Sequence, residues 1–474
     1  MAALAPKIEV TDLEFYERDV VLRLPFRFGI VTMTEAPQVF VRARIRTPDG
    51  VETWGMAAEL LAPKWFDKDP ALSNERNFDQ LRQALDIAGG LYRTAGAETA
   101  FGLFAAVYPE QLKTGAAAGL KPLVAGYGPA LLDRAILDAL CRWAGVSIFT
   151  ALRQNLPGLG PGPQEGLEGF DYGAFLAGLE PARRLHARHT VGLVDDIKAV
   201  DRDPAARLDD GMPETLEEAV AAFGQRYFKL KVGGDMAADL ERLAAIAAVL
   251  DRLDGSYYVT LDGNEQYADV DGALALWQAL AAAPRLERLV SSILFIEQPI
   301  GRAQAFERDV SALDACRPVI IDESDGTLEA FVQARELGYS GVSSKSCKGF
   351  YKSLINLARC QVWNAEAGRR RYFMSAEDLS VQVGLALQQD LALASLLGVG
   401  HVERNGHYYV NGWAGLPQDE ARAFGAAHAG LYEFSQGQLR LRLEGGEMAL
   451  DSLDCPGFAS AAEPIWSALE HVPG

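Results

Sequence analysis

Tyr227-Phe228-Lys229-Leu230-Lys231-Val232, the helix-patterned residues 237–250, and then Tyr257-Tyr258-Val259-Thr260-Leu261 decide the fold. Two short apolar runs separated by an amphipathic stretch read as strand, helix, strand, and such a crossover joins parallel strands. The same alternation continues on both sides. Strands are expected at 189–194, 227–232, 257–261, 293–296, 319–321, 341–344, 372–375 and 400–402. Helical patterns at 237–250, 273–282, 327–337, 352–363 and 381–397 lie between successive candidates. Eight strands linked by helices are the pattern of an α/β fold closed into a (β/α)8 TIM-like barrel.

Outside the barrel the periodicity differs. Residues 38–45 alternate as a strand does and run into a Pro48-Asp49-Gly50 turn and a second strand through Trp54. Residues 74–88 and 129–144 have helical spacing, with Leu131, Leu132, Ala135, Ile136, Ala139 and Leu140 on one stripe. Residues 155–170 are a Gly/Pro-rich loop; a phosphate cradle would need a strand before those glycines and a helix after them. The tail carries a strand-like stretch at 438–443. The expected organisation is an α+β capping domain over 1–185, the barrel over 186–414, and a C-terminal segment over 415–474 packing on the cap.

The chain has 474 residues, with 45 basic against 64 acidic side chains and a net charge of −19, which disfavours nucleic acid and anionic lipid as partners. Its 49% hydrophobic and 23% charged content is that of a folded chain. No apolar run approaches the length of a membrane span, and the first residues show no secretory pattern. Five cysteines with no C-x-x-C pair argue against a disulfide framework or structural zinc. A cytoplasmic enzyme forming a homo-oligomer is expected.

In a closed barrel the reacting groups lie at the C-terminal strand ends. Lys229 and Lys231, two apart, share one face of the second strand: both inward if Leu230 faces the helices, or both toward solvent. The third, fourth and fifth strands each end in a carboxylate: Asp262, Glu297 and Asp322. A turn or helix cap explains one such residue. Three on consecutive strands converge on one mouth and call for a cation, and oxygen-only ligation suits Mg²⁺, with Mn²⁺ as a substitute. The sixth strand ends at Lys345, diametrically opposite the second. A base on each face of a carbon beside a metal-bound carboxylate is what α-proton abstraction needs. Serving as base near neutral pH asks a lysine pKa to fall by about three units.

These residues together resemble the enolase superfamily, and within it the muconate-lactonising branch of the mandelate racemase/muconate lactonising enzyme family. The resemblance rests on Lys229-x-Lys231, Asp262 with Asn264, Glu297 in Ile-Glu-Gln-Pro, Asp322 in Asp-Glu-Ser, Lys345, and the helix at 135–140 leading into the barrel. It implies Lys231 and Lys345 as the acid/base pair, Lys229 as electrostatic support, and Asp262, Glu297 and Asp322 as Mg²⁺ ligands. Asn264 either orients Asp262 or closes its turn. Glu323 is assigned to a structural ion pair, and Lys348 to a salt bridge beside Lys345.

The chain also departs from relatives. Its seventh strand, Arg371 to Asp378, lacks the histidine of the racemase and sugar-acid dehydratase branch. Its eighth, His401-Val402-Glu403-Arg404-Asn405-Gly406-His407, lacks the Asp-x-Asp of dipeptide epimerases, and a second metal at His401 and Glu403 is disfavoured. Extra length lies near 155–215. Two cap loops, 25–33 and 59–66, are expected to close over the mouth, with Phe26, Phe28, Met33, Trp65, Asn264 and Glu403 touching a small carboxylate substrate. The expected reaction is racemisation or epimerisation. Cycloisomerisation or syn-elimination, as in muconate cycloisomerase or o-succinylbenzoate synthase, uses the same residues, and a non-catalytic ligand-binding barrel is the rival from another class.

Overall fold

The computed structural model describes residues 5–29, 31–379 and 382–472. Strands β1 (Glu9–Phe28), β2 (Val31–Arg46) and β3 (Glu52–Leu60) form an antiparallel sheet in which alternate residues such as Val39, Val41, Ala43 and Ile45 are buried. The outward Arg42, Arg44 and Arg46 pair across strands with Glu14, Asp12 and Glu52. Helices Asn74–Thr94 and Ala100–Ala117 start at capping Ser73 and Thr99, whose side chains accept backbone N–H bonds. Helix Tyr127–Ala144 lies against β3 so closely that a Cβ on Gly55 would come within 2.1 Å of the Ala139 nitrogen. Only glycine permits that approach.

The barrel consists of β4 (Arg184–Val191), β5 (Tyr227–Lys231), β6 (Tyr258–Asp262), β7 (Ile293–Glu297), β8 (Val319–Ile321), β9 (Gly341–Ser344), β10 (Phe373–Ala376) and β11 (His401–Arg404). Neighbours pair in parallel in that order, and β11 pairs with β4 to close the ring. The eight-stranded barrel and the separate N-terminal sheet are as expected.

The first strand differs: it starts at Arg184 and ends at Val191, five residues ahead of the expected start. Gly192 donates to Asp195 and turns the chain, so the apolar Leu193 and Val194 belong to a loop, with Val194 47% exposed. The third, seventh and eighth strands each begin one residue later than expected. The helix expected at 381–397 is Leu385–Leu396, and Val381 lies outside the described residues.

The lid segment 25–33, expected as a loop, is the tip of the β1/β2 hairpin, with Phe26 opposite Met33 and Phe28 opposite Val31. Ile30 lies outside the described residues. Phe26, Phe28, Val31 and Met33 are buried while Arg27 and Thr32 are exposed, a period-two alternation that builds strand. The long segment after β4 clasps this hairpin: Arg23 grips Asp210 through two bonds of 2.5 and 2.8 Å, and the Leu193 N–H donates to the Arg27 carbonyl.

The tail forms a hairpin of β12 (Tyr432–Ser435) and β13 (Gln438–Leu441), then β14 (Glu447–Ala449) and β15 (Glu470–Val472). Among the described residues of the tail, β15 alone joins the N-terminal sheet, beside β1; β14 pairs with barrel strand β4. Among the described residues no helix is long and apolar enough to cross a membrane.

Candidate active site

The parallel register brings the charged strand ends level: Lys231 lies opposite Asp262, and Asp262 opposite Glu297. Lys229 and Lys231 point into the barrel, 1% and 5% exposed, which settles the choice of face. Lys229 Nζ lies 2.9 Å from Asp262, Glu297 and Glu377 and 3.0 Å from Glu403. Burial opposes its charge, and those four carboxylates outweigh it, holding the ammonium well above the ordinary lysine range. Lys231 Nζ donates to Asp262 Oδ2 at 2.5 Å.

Across the ring, Lys345 donates to both oxygens of Asp322, at 2.8 and 2.7 Å. Lys348 reaches the same carboxylate at 2.9 Å, and Ser343 donates to it as well. Burial opposes the ionisation of Asp322, and Lys345, Lys348 and Lys229 together hold its pKa well below the usual range. The pKa of Lys345 rises: burial lowers it, and Asp322 more than compensates. That direction follows from the carboxylate neighbour, which grips the ammonium with both oxygens.

Glu297 is the crowded member. Burial first, then the charges of Asp262, Glu377 and Asp322, push its pKa well above the ordinary value, against the pull of Lys229. Its Oε2, although 2.9 Å from Lys229 Nζ, accepts no hydrogen bond. Among the described residues no three of these carboxylates already form a metal cage; Lys229 sits among four of them, and Lys345 and Lys348 hold Asp322. Even so, the donor chemistry fits a hard divalent cation. The oxygens come from three neighbouring strand ends, one carboxylate is overcrowded by like charges, and one of its buried oxygens is unsatisfied.

Asn264, with φ of 40°, orients Asp262 through its backbone N–H (2.8 Å), while its side chain donates to Glu323. Glu323 also pairs with Lys68 of the cap, so its structural role is as expected. Lys348 is the salt-bridging neighbour anticipated. Phe26, Phe28, Met33, Trp65, Asn264 and Glu403 all line one cavity at the mouth, together with Lys229, Lys231, Asp322 and Lys345. Its volume is about 30 Å³, the room of one water. Trp65 places its ring 4.9 Å from Lys345 Nζ.

The sequence reading passed over Glu377 and Arg188. Glu377 follows β10 and is fully buried between Lys229, Ser375 and Arg188; it obeys the rule of an apolar run capped by a carboxylate that singled out Asp262. Arg188, on β4, also donates to Ser375 and to the Ala376 carbonyl. Glu403 accepts from Thr190 and Lys229. His401 contacts Arg188 at the start of its strand, and His407 pairs with His189 and Gln225, so neither joins Glu403 in a ligand set.

Residues 211–391 match the family described as enolase C-terminal domain-like. No curated protein matches the chain. Among solved structures, an enolase from Bradyrhizobium complexed with magnesium and mandelic acid is 16% identical, with a TM-score of 0.60, covering 98% of this chain and 99% of its own. The L-Ala-D/L-Glu epimerase of Bacillus subtilis, in a substrate-liganded complex, is 15% identical, with a TM-score of 0.56 and coverages of 96% and 99%. The muconate lactonizing enzyme of Pseudomonas fluorescens, complexed with muconolactone, is 18% identical, with a TM-score of 0.58 and coverages of 96% and 97%. Capped barrel, charged strand ends and family match agree: residues 211–391 are similar to the enolase C-terminal domain-like family, and the chain has the capped-barrel fold of the solved mandelate racemase/muconate lactonizing proteins.

Proposed function

We propose that the protein catalyses metal-assisted removal of a proton from the carbon next to a carboxylate, with racemisation or epimerisation as the outcome. The observation that carries this reading is the pair of buried lysines on opposite strands, Lys231 beside Asp262 and Lys345 beside Asp322, lining one cavity. Asp262, Glu297 and Asp322 would hold Mg²⁺, the ion present in the mandelic acid complex of the Bradyrhizobium protein. When bound, Mg²⁺ supplies positive charge at the substrate carboxylate as the adjacent carbon loses its proton.

The chain's own groups do the rest. Lys231 and Lys345 each face one side of the α-carbon, one taking its proton and the other returning one. Lys345 serves as base only once it leaves Asp322, since that ion pair holds its proton. Lys229 fixes Asp262 and Glu297 in place. Phe26, Phe28, Met33 and Trp65 exclude water and favour a substrate with an apolar group beside its carboxylate. A cavity of about 30 Å³ admits no such molecule as it stands, so binding requires the hairpin tip or Trp65 to shift.

One observation favours a single-base reaction instead. Lys345 is tied to both oxygens of Asp322, whereas Lys231 contacts a single oxygen of Asp262. A cycloisomerisation or elimination would use one lysine as base and the other as fixed charge. Candidate carboxylates incubated with Mg²⁺ in D₂O separate the readings. In a two-base racemase deuterium enters both stereoisomers, Lys231→Ala stops abstraction from one isomer, and Lys345→Ala stops it from the other. Loss of exchange from both isomers in both variants, with Mg²⁺ still bound, selects the single-base reaction. Absence of α-exchange across a broad acid and dipeptide set would sink the proposal.

A further inference from the structure

A second and larger space opens at the opposite end of the barrel. Below the N-terminal ends of β7, β10 and β11 lies a cavity of about 960 Å³, within the size range of small-molecule sites. Its walls include Phe295 and Phe373 from the barrel and Phe175 from the short helix Tyr172–Ala177. Phe373 and Met374 are only half-buried there, an apolar surface left without cover.

Several polar groups at this cavity are held in position. His401 Nδ1 lies 2.5 Å from Arg188 Nη1; the guanidinium can only donate, so Nδ1 accepts and the ring proton resides on Nε2. Burial, then Arg188 and His186, keep His401 neutral, with its pKa well below the ordinary value. Among the described residues its Nε2–H has no hydrogen-bond partner. At the rim, Asn364 accepts from the N–H groups of Arg371 and Tyr372 and donates to the Tyr372 carbonyl, all at 2.7 Å, which fixes the Arg370-Arg371 turn. Arg370 forms no ion pair among the described residues, and the nearest carboxylate to Arg371 is Asp314, at 4.0 Å. Asp171 also lines the space, but its carboxylate caps the helix through the Ala174 N–H.

One unpaired guanidinium, a second whose nearest carboxylate lies at 4.0 Å, an N–H donor and an aromatic wall define one chemistry. We propose that this lower cavity binds a small aromatic monoanion of one or two rings, its rings among Phe175, Phe295 and Phe373, its acid group at Arg370 and Arg371, and an oxygen acceptor on His401. The site is separate from the barrel mouth and does not depend on the proton-abstraction reading.

The test uses the full chain and 8-anilinonaphthalene-1-sulfonate fluorescence, with naphthalene-2-carboxylate and 1-naphthylmethylamine as competitors. The expected result is one dye per chain, displaced by the carboxylate and not by the amine. Arg370→Glu with Arg371→Glu should raise the dissociation constant at least tenfold. Ala174→Trp, at an exposed position on the cavity wall, should abolish binding, with circular dichroism confirming that each variant folds. Failure of the dye to bind, equal binding by both variants, or displacement by the amine as readily as by the acid overturns the proposal.

Discussion

The two ends of the barrel solve the same packing problem in opposite ways. At the C-terminal end five carboxylates, Asp262, Glu297, Asp322, Glu377 and Glu403, are buried among Lys229, Lys231, Lys345 and Lys348, and the cap seals them beneath aromatic side chains. At the N-terminal end the filling is a stack of rings, Tyr227 against His186, His401 and Tyr258 at 4.7 to 5.0 Å, open to a broad cavity. Charges buried together hold their places only as a complete set, because any one left unpaired is costly in a low-dielectric interior. Rings tolerate incomplete contact. The sealed end therefore depends on each of its members, and the open end does not.

The largest expected effect tests that contrast directly. Lys229→Met leaves four buried carboxylates without their shared cation and should cost about 3–5 kcal/mol in urea unfolding, the usual penalty for breaking a buried ion pair. Tyr227→Ala at the other end removes stacking from a partly exposed ring and should cost about 1–2 kcal/mol. An equal or reversed ordering would break the comparison.

Next in size is pH dependence. Burial foremost raises the pKa of Glu59, at the cap–barrel boundary, to about 7, despite Arg134 at 3.0 Å. Between its ordinary value near 4.5 and about 7 the native state binds more protons than the unfolded chain, so stability falls as pH rises through that window. The fall attributable to this residue is about 3 kcal/mol, and Glu59→Gln should flatten the slope there whatever it does to absolute stability. At the open end the sign reverses. His401 stays neutral when folded but takes a proton when unfolded, so stability is lost as pH drops below about 6.5. His401→Phe should flatten that acid limb.

A third effect is smaller and two-sided. Glu297→Gln removes one of several crowded like charges and should stabilise the metal-free protein by about 1 kcal/mol. In calorimetric titration the same change should weaken Mg²⁺ binding at least tenfold, as expected for loss of a ligand oxygen. Destabilisation without Mg²⁺ would show that Glu297 is held as a pair partner of Lys229 and not as a strained ligand.

The fold was legible because period-two and helical patterns alternate without interruption from residue 227 onward. The charged strand ends were legible because an apolar run stopped by a carboxylate marks where a barrel strand meets its mouth. Glu377 carries that same mark after Met374-Ser375-Ala376 and was still missed, because three carboxylates already sufficed for one cation. The lid hairpin was expected as a loop by resemblance to related cap domains, while the antiparallel pairing of Phe26 with Met33 belongs to a register that runs from Glu9 opposite Arg46 to Phe28 opposite Val31. The direction of the Lys345 shift was out of reach, since it follows from a bidentate contact with a residue 23 positions away.

The run of contacts from His401 to Arg188, Glu377 and Lys229 links four strands and traverses the barrel from one end toward the other. Its consequence concerns modularity. Barrels of this type are treated as scaffolds whose loops can be exchanged while the strands stay inert. Here the position of Lys229 is set by β4 and β10 from within the wall. A graft that carried the loops above the mouth into another barrel would leave those supports behind, so the transferable unit is the ring of strands itself.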